Sequence, residues 1–125
     1  MAAGTVTITE TTHPTVKKIM FAWTSGTAAE DGTASGTTVA PFDGEILGFT
    51  TIPGAGGDQP TNLYDITIKD AAGHDVLLGA GADRSNAVTQ HVARASLAGV
   101  AGSPLTIAVA AAGTTKKGTA ILYLR

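Results

Sequence analysis

The residues most able to do chemistry in this chain are three histidines and seven aspartates, so their spacing is the first question. His13 precedes a proline, His74 lies in a predicted turn and His91 in a predicted helix, so no two have the local spacing of metal ligands. Five aspartates are candidates for a calcium site at loop ends: Asp58, Asp65, Asp70, Asp75 and Asp83. The pattern of a calcium-binding loop, with acids at alternate positions and a terminal glutamate, is missing. Asp70 and Asp75 flank a Gly-His turn, so we interpret them as turn formers that accept backbone hydrogen bonds.

Catalytic and phosphate-binding motifs are also weak. The stretch 79–84 has a Gly-Ala-Gly start after an apolar strand, but the surrounding strand-helix-strand pattern of a dinucleotide site is missing. A triad of Ser85 or Ser96 with His91 and Asp83 has no Gly-x-Ser-x-Gly motif to support it. Without cysteine there is no thiolate nucleophile and no cysteine-bound metal. The sequence predicts a protein that is not an enzyme and that has no cofactor.

The net charge and the apolar residues limit the partners. Eight cations and ten anions give a net charge of −2, which is too near neutral to attract nucleic acid or an anionic membrane at long range. We interpret the two basic pairs, Lys17–Lys18 and Lys116–Lys117, as solvated strand edges. No stretch approaches the roughly 20 apolar residues of a membrane span, and the first residues lack an export-signal pattern, which predicts synthesis in the cytoplasm. Trp23 shares a strand face with Ile19 and Phe21, which favours a core position over a sugar-stacking platform.

Short strands are the elements that must position these residues. Period-two alternation predicts strands over 5–9, 16–24, 45–52, 63–69, 75–79, 105–109 and 119–125, with a short edge segment at 39–42. We expect hairpins from 63–69 with 75–79 and from 105–109 with 119–125, an exposed loop over 25–38, and one weak candidate helix over 82–97. The fold class is therefore all-β: an antiparallel β-sandwich or jelly-roll-like barrel of seven to eight strands with at most one short helix. Residues 13–125 form one domain, and residues 1–12 are either an N-terminal arm or its first strand.

The surface composition favours association. Only 14% of the residues are charged, and Thr, Ala and Gly together number 58. Flat surfaces of small residues pack closely against a neighbour, which is typical of a symmetric oligomer or of a subunit in an assembly. If the first segment is an arm, it could add to the sheet edge of a partner. The predicted partner-binding residues are Thr5, Val6, Thr7, Ile8, Thr9 and Glu10.

Strand and turn motifs along most of the chain resemble small virion structural proteins of tailed bacteriophages. The segments that carry this resemblance are 7–13, 16–19, 21–24, 64–67 and 119–125. The resemblance implies a β-rich protein of the virion: a capsid decoration or cement protein that binds the major capsid protein as a homotrimer and stabilises the shell. The alternative is a tail fibre or baseplate module that recognises a cell-surface glycan through loops 25–38 and 53–62. The resemblance supplies no catalytic motif.

Overall fold

The predicted all-β, antiparallel class is confirmed in the computed structural model, which describes residues 4–12, 15–27 and 32–125. The described residues form nine strands: β1 Thr5–Thr12, β2 Lys17–Thr24, β3 Ala34–Thr37, β4 Phe42–Pro53, β5 Asp65–Lys69, β6 Gln90–Ala93, β7 Gly99–Ser103, β8 Thr106–Ala110 and β9 Lys117–Leu124. The helical content of the described part is two 3-10 turns, Gly56–Asp58 and Arg94–Ser96.

The strands form two sheets. The large sheet has the order β1-β2-β9-β4-β6, with β7 paired to the first part of β4, and it is curled like half a barrel. The small sheet has the order β3-β8-β5. Each sheet has an inner face that supplies the shared core and an outer face that points away from it.

The core follows from the period-two alternation of the central strands. Ile19, Phe21 and Trp23 of β2 are buried, and so are Leu122 and Leu124 of β9. Trp23 is only 1% exposed, which confirms its predicted core position and corrects the alternative of a sugar-stacking platform. From the small sheet, the core receives four branched residues: Ile66, Ile68, Ile107 and Val109.

The predicted hairpin of 105–109 with 119–125 is wrong, and that of 63–69 with 75–79 is reduced to one antiparallel bridge between Lys69 and Asp75. The segments 105–109 and 119–125 lie in different sheets, because β8 pairs with β3 and β5 while β9 pairs with β2 and β4. Residues 76–81 form turns beside β5 instead of a strand. They are held there because Val76 N donates to Ile68 O at 2.8 Å and Ile66 N donates to Gly81 O at 2.8 Å.

The weak candidate helix over 82–97 is also wrong. This stretch contains strand β6, which pairs with β4, and then the 3-10 turn at Arg94–Ser96. Val92 packs partly buried against the core from β6. The four residues of β6 suffice to pair with β4 and to place Val92 against the core. This tertiary pairing overrides the weak helical spacing of the segment.

The segment 25–38, predicted as an exposed loop, contains a strand and buried positions. β3 occupies Ala34–Thr37, and Ser25, Gly26 and Gly32 are buried, whereas residues 28–31 lie outside the described residues. Small side chains are what allow this close packing. Gly36 illustrates it, since a Cβ at this position would lie 3.0 Å from the Cβ of Val6 in β1.

Strand β4 departs from simple alternation. The sequence placed Ile46 and Phe49 on opposite faces, yet both are buried, at 0% and 1% exposure. The pairing with β9 shifts between Ile46 and Gly48, so a β-bulge at Leu47 returns Phe49 to the inner face.

Candidate interaction surface

The predicted partner-binding residues Thr5 to Glu10 lie in β1, at one edge of the large sheet. β1 pairs with β2 continuously from Thr5↔Thr24 to Thr12↔Lys17, so the segment is built into the sheet and is not a detached arm in this structure. Val6 and Ile8 pack, partly buried, against the core. The alternate side chains, Thr5, Thr7 and Thr9, are exposed on the outer face.

The edge of β1 that faces away from β2 pairs with no strand in the described part of the chain. Near Gly36 this edge is covered by β3, but Thr9 to Thr12 are all exposed. The described strand has no lysine, proline or bulge, which are devices that proteins use to block edge pairing. Its one charged residue is Glu10, and the ion pair found among the described residues joins Glu45 to Arg94.

The outer face of the large sheet is apolar at its centre. Cross-strand pairing places Met20 of β2 beside Ile121 of β9, and Ile121 beside Thr50 of β4. The apolar members of this face are Met20, Ala22, Ile52, Ile121 and Tyr123. Ile121 is only 6% exposed although it points away from the core, whereas Ile52 at the edge of the face is 37% exposed. The face is therefore a second apolar surface that is buried at its centre and open around Ile52.

A shallow open depression of about 310 Å³ lies at one end of this outer face. Its lining comes from β1, β2, β4 and β9 and consists of Thr5, Thr7, Ala22, Trp23, Thr24, Ile52, Pro53, Gly54, Lys117, Gly118 and Thr119. Lys117 is the only charged residue in this lining. The lining consists largely of threonine, glycine and alanine, together with Trp23, Ile52 and Pro53, which suits contact with an aliphatic side chain.

The described charges of the outer face are mostly positive. Alternation places Lys18, Lys117 and Arg125 on it, together with the Glu45–Arg94 pair, whose Oε1 and Nε atoms are 2.8 Å apart. Arg94 is the only one of these cations with a carboxylate partner in the described part of the chain. The face is thus basic although the whole chain has a net charge of −2.

Residues 70–83, which we call the acidic segment, lie beside β5 in the other layer. Asp70 Oδ1 accepts hydrogen bonds from the N–H groups of Ala72 and His74, each at 3.0 Å. Asp75 accepts from the N–H groups of Leu77 and Gly79 at 3.1 and 3.0 Å. The interpretation of Asp70 and Asp75 as turn formers is confirmed.

The acidic segment carries further charge and one exposed apolar side chain. Asp83 is exposed, and its N–H donates to Asp65 Oδ1 at 2.9 Å, which brings a fourth aspartate to the segment. Leu78 is 56% exposed between Asp75 and Asp83. The segment therefore presents an exposed aliphatic side chain that lies between two aspartates in the sequence.

A cluster of buried polar groups lies where the core meets residue 84. Arg84 is 7% exposed, and its guanidinium donates to Thr51 Oγ1 at 3.1 Å and to Ala80 O at 2.8 Å. The Trp23 indole N–H and the Tyr64 hydroxyl are buried without a hydrogen-bond partner in the described structure. The Thr51 hydroxyl lies near that of Tyr64, but the geometry falls short of a hydrogen bond.

Burial dominates the titration of this cluster. It raises the pKa of Tyr64, against smaller lowering effects from the Thr51 hydroxyl and the Arg84 charge. Burial lowers the pKa of Arg84, which the neighbouring Tyr64 partly offsets. Both shifts disfavour the charged form, as expected for groups removed from water. The hydrogen bonds of Arg84 connect the end of the acidic segment to β4, which gives the stretch 79–84 a structural role.

The two described histidines, His74 and His91, have different surroundings. His74 is exposed in a turn, His91 contacts Thr50 through Nδ1 and Oγ1 at 2.8 Å, and His13 lies outside the described residues. No group of three or more His, Asp or Glu side chains placed to hold a metal ion occurs within residues 4–12, 15–27 and 32–125. Among the hydrogen bonds of the described residues, His91 pairs with Thr50 and with none of Ser85, Ser96 and Asp83.

The sequence analysis did not identify two surfaces that the structure shows: the outer face of the large sheet and the acidic segment. A signal for the first was present, since β2 and β9 carry large apolar residues in both alternating sets, as Met20 and Tyr123 show. A strand that is apolar on both sides predicts two covered faces. The position of the acidic segment beside β5 had no such signal.

Neither the family models nor the curated proteins compared with this chain give a match. No helix in the described part of the chain is long and apolar enough to cross a membrane.

Proposed function

We propose that this protein is a structural protein of a phage virion, which binds the exterior of the capsid and stabilises the shell as a decoration protein. The observation that carries the proposal is the free edge of β1. Thr9 to Thr12 extend as a paired strand whose side chains are exposed and whose outer edge has no neighbour among the described strands. Such an edge accepts an extended segment of a partner through main-chain hydrogen bonds.

The charge on β1 favours one kind of partner segment. Glu10 points to the inner side of the sheet edge, where no described cation pairs with it. A charge at such a position disfavours indiscriminate edge pairing, and a partner strand that offers a lysine or arginine opposite it removes the penalty. The proposed partner segment is therefore an extended, basic stretch of the major capsid protein.

The sandwich supports a mechanical role. The strands of both sheets bury one continuous core, and the outer faces remain open to neighbours. A body of this kind resists outward pressure by contact area alone when many copies, the proposed homotrimers among them, bridge adjacent capsid subunits. Trp23 is buried and offers no stacking face to a glycan, and a tail module that binds a glycan through loops 25–38 and 53–62 is the alternative outcome of the test.

A reconstruction of the phage particle that contains this protein tests the proposal. We expect many copies bound over the shell, with β1 against an extended capsid segment. Glu10→Lys should abolish occupancy, and Asp58→Lys, at an exposed residue in a 3-10 turn, should retain it. Density confined to the tail tip, or full occupancy of the Glu10→Lys variant, would show that the proposal is wrong.

A further inference from the structure

We propose that copies of this chain associate head to tail, with the acidic segment of one copy docked on the outer face of the large sheet of the next. The inference deepens the proposed function. It rests on that function in one respect, because an oligomer bound to the capsid needs contacts between its copies. It names the two surfaces that make those contacts.

Charge complementarity is the first argument. The outer face of the large sheet presents Lys18, Lys117 and Arg125 without a described carboxylate partner. In the acidic segment Asp83 is exposed, whereas Asp70 and Asp75 are half-buried and accept backbone hydrogen bonds, and Asp65 adjoins the segment. Surfaces of opposite sign attract at encounter and fix the register of the contact.

Apolar fit is the second argument. The outer face has an open depression of about 310 Å³ whose lining includes Ile52, which is 37% exposed, and Lys117. The acidic segment has Leu78, 56% exposed, between two aspartates. Leu78 of one copy therefore fits the depression of the next, with Asp75 and Asp83 beside Lys117. An aliphatic anchor surrounded by polar contacts is the usual arrangement of a specific interface.

The two surfaces belong to different layers of the sandwich, so the contact is heterologous. Each copy uses one surface of each kind, and association continues until it closes into a ring or extends as an open stack. A second copy meeting the first face to face is disfavoured, because the cations of the two outer faces would then oppose each other.

Three single variants separate these possibilities. Leu78→Asn removes the aliphatic anchor and suits the backbone, since Leu78 has a φ of 51° and asparagine tolerates the left-handed region. Ile52→Glu places a carboxylate in the depression, where Ile52 is 37% exposed, and leaves the acidic segment intact. Leu63→Asn is the matched control, because Leu63 is also exposed, at 53%, and has a φ of 65° but lies outside both surfaces.

Sedimentation velocity of the purified protein over a range of concentrations tests the inference. We expect reversible association that weakens about tenfold between low and high salt, as expected for screened contacts between charged surfaces. Leu78→Asn and Ile52→Glu should each be monomeric and Leu63→Asn should associate like the parent, with folding of all three checked by circular dichroism. An equimolar mixture of Leu78→Asn and Ile52→Glu should form a dimer and nothing larger, because only one productive contact is left between them.

Three results would overturn the inference: a parent protein that stays monomeric at low salt, a Leu78→Asn variant that associates normally, or a mixture that does not recombine. Loss of association in Ile52→Glu alone would indicate a face-to-face dimer. The assay needs no virion, so the two proposals can fail separately. Association without capsid binding would reject the proposed function and leave this inference standing. Capsid binding without association of the purified protein would reject only this inference.

Discussion

Replacing Gly118 by alanine is the sharpest test of the core. Gly118 in β9 is the cross-strand partner of Trp23 in β2. A Cβ at Gly118 would lie 2.7 Å from Trp23 Cε2 and 3.0 Å from its Nε1, well inside van der Waals contact. The indole has little room to withdraw, because it is 1% exposed and its ring centroid lies 5.4 Å from that of Tyr64. The added methyl group therefore overpacks a rigid site.

The expected size of this effect follows from two opposing contributions. Overpacking of a core by one methyl group costs about 1–3 kcal/mol. The lower entropy of the unfolded chain with alanine returns about 0.4–1 kcal/mol. We expect Gly118→Ala to lower the free energy of unfolding by about 1–2 kcal/mol.

Urea unfolding followed by far-ultraviolet circular dichroism measures this change. Fluorescence is unsuitable for the full series, because Trp23 is the only tryptophan and the test includes Trp23→Phe. The matched control is Gly57→Ala, where an added Cβ meets no atom within 4 Å and φ is not positive, so stability should stay equal or rise slightly. In the double variant the smaller phenyl ring should recover about 1 kcal/mol of the Gly118→Ala loss. If Gly118→Ala were as stable as Gly57→Ala, the close indole contact argued here would be wrong.

Three further predictions concern the same framework. Trp23→Ala should lower the free energy of unfolding by about 3–5 kcal/mol in urea titrations, and a change of a few tenths would place the indole on the surface. Burial raises the pKa of Tyr64 in the folded chain above its ordinary value of 10.0, so the unfolded chain loses this proton first as the pH rises. The contribution of Tyr64 to the free energy of unfolding is therefore complete below about pH 10, and it is lost as the pH rises through the pKa of the folded chain. Unfolding at pH 8 and pH 10.5 should show this loss in Tyr123→Phe but not in Tyr64→Phe, and equal losses would contradict the assignment. Deletion of residues 1–12 removes β1 and its Val6 and Ile8 contacts, so the thermal midpoint by circular dichroism should fall by several degrees, whereas an unchanged midpoint would show that β1 is a dispensable arm.

The sequence predicted the strands that have one strongly buried face. In β2, Ile19, Phe21 and Trp23 alternate with smaller or charged residues, and only a strand brings three such side chains to one side. The same alternation located β5 and β9. A local pattern suffices for these elements because burial of one face determines their register.

Local alternation does not predict which distant strands pair with each other. β8 and β9 are separated by a short polar turn, which predicts a hairpin, yet β8 pairs with β3, whose small residues carry almost no strand signal. Which strand pairs with β8 depends on how closely the two sheets pack. Because Ala34 and Gly36 are small, β3 lies close against β1, and β8 then has a partner in the second layer. Such packing is a property of the assembled sandwich and cannot be seen in a window of sequence.

The interaction surfaces show the same division between local pattern and assembled fold. A net charge of −2 from eight cations and ten anions predicts a nearly neutral surface. Strand alternation, however, directs Lys18 and Lys117 to the outer side of the large sheet, and the path of the chain after β5 gathers its aspartates in the other layer. A sandwich with few charges thus acquires two surfaces of opposite sign, each with an apolar centre or anchor. Because separation of charge depends on which strands pair, the capacity for directional association arises from the topology and is invisible in the composition.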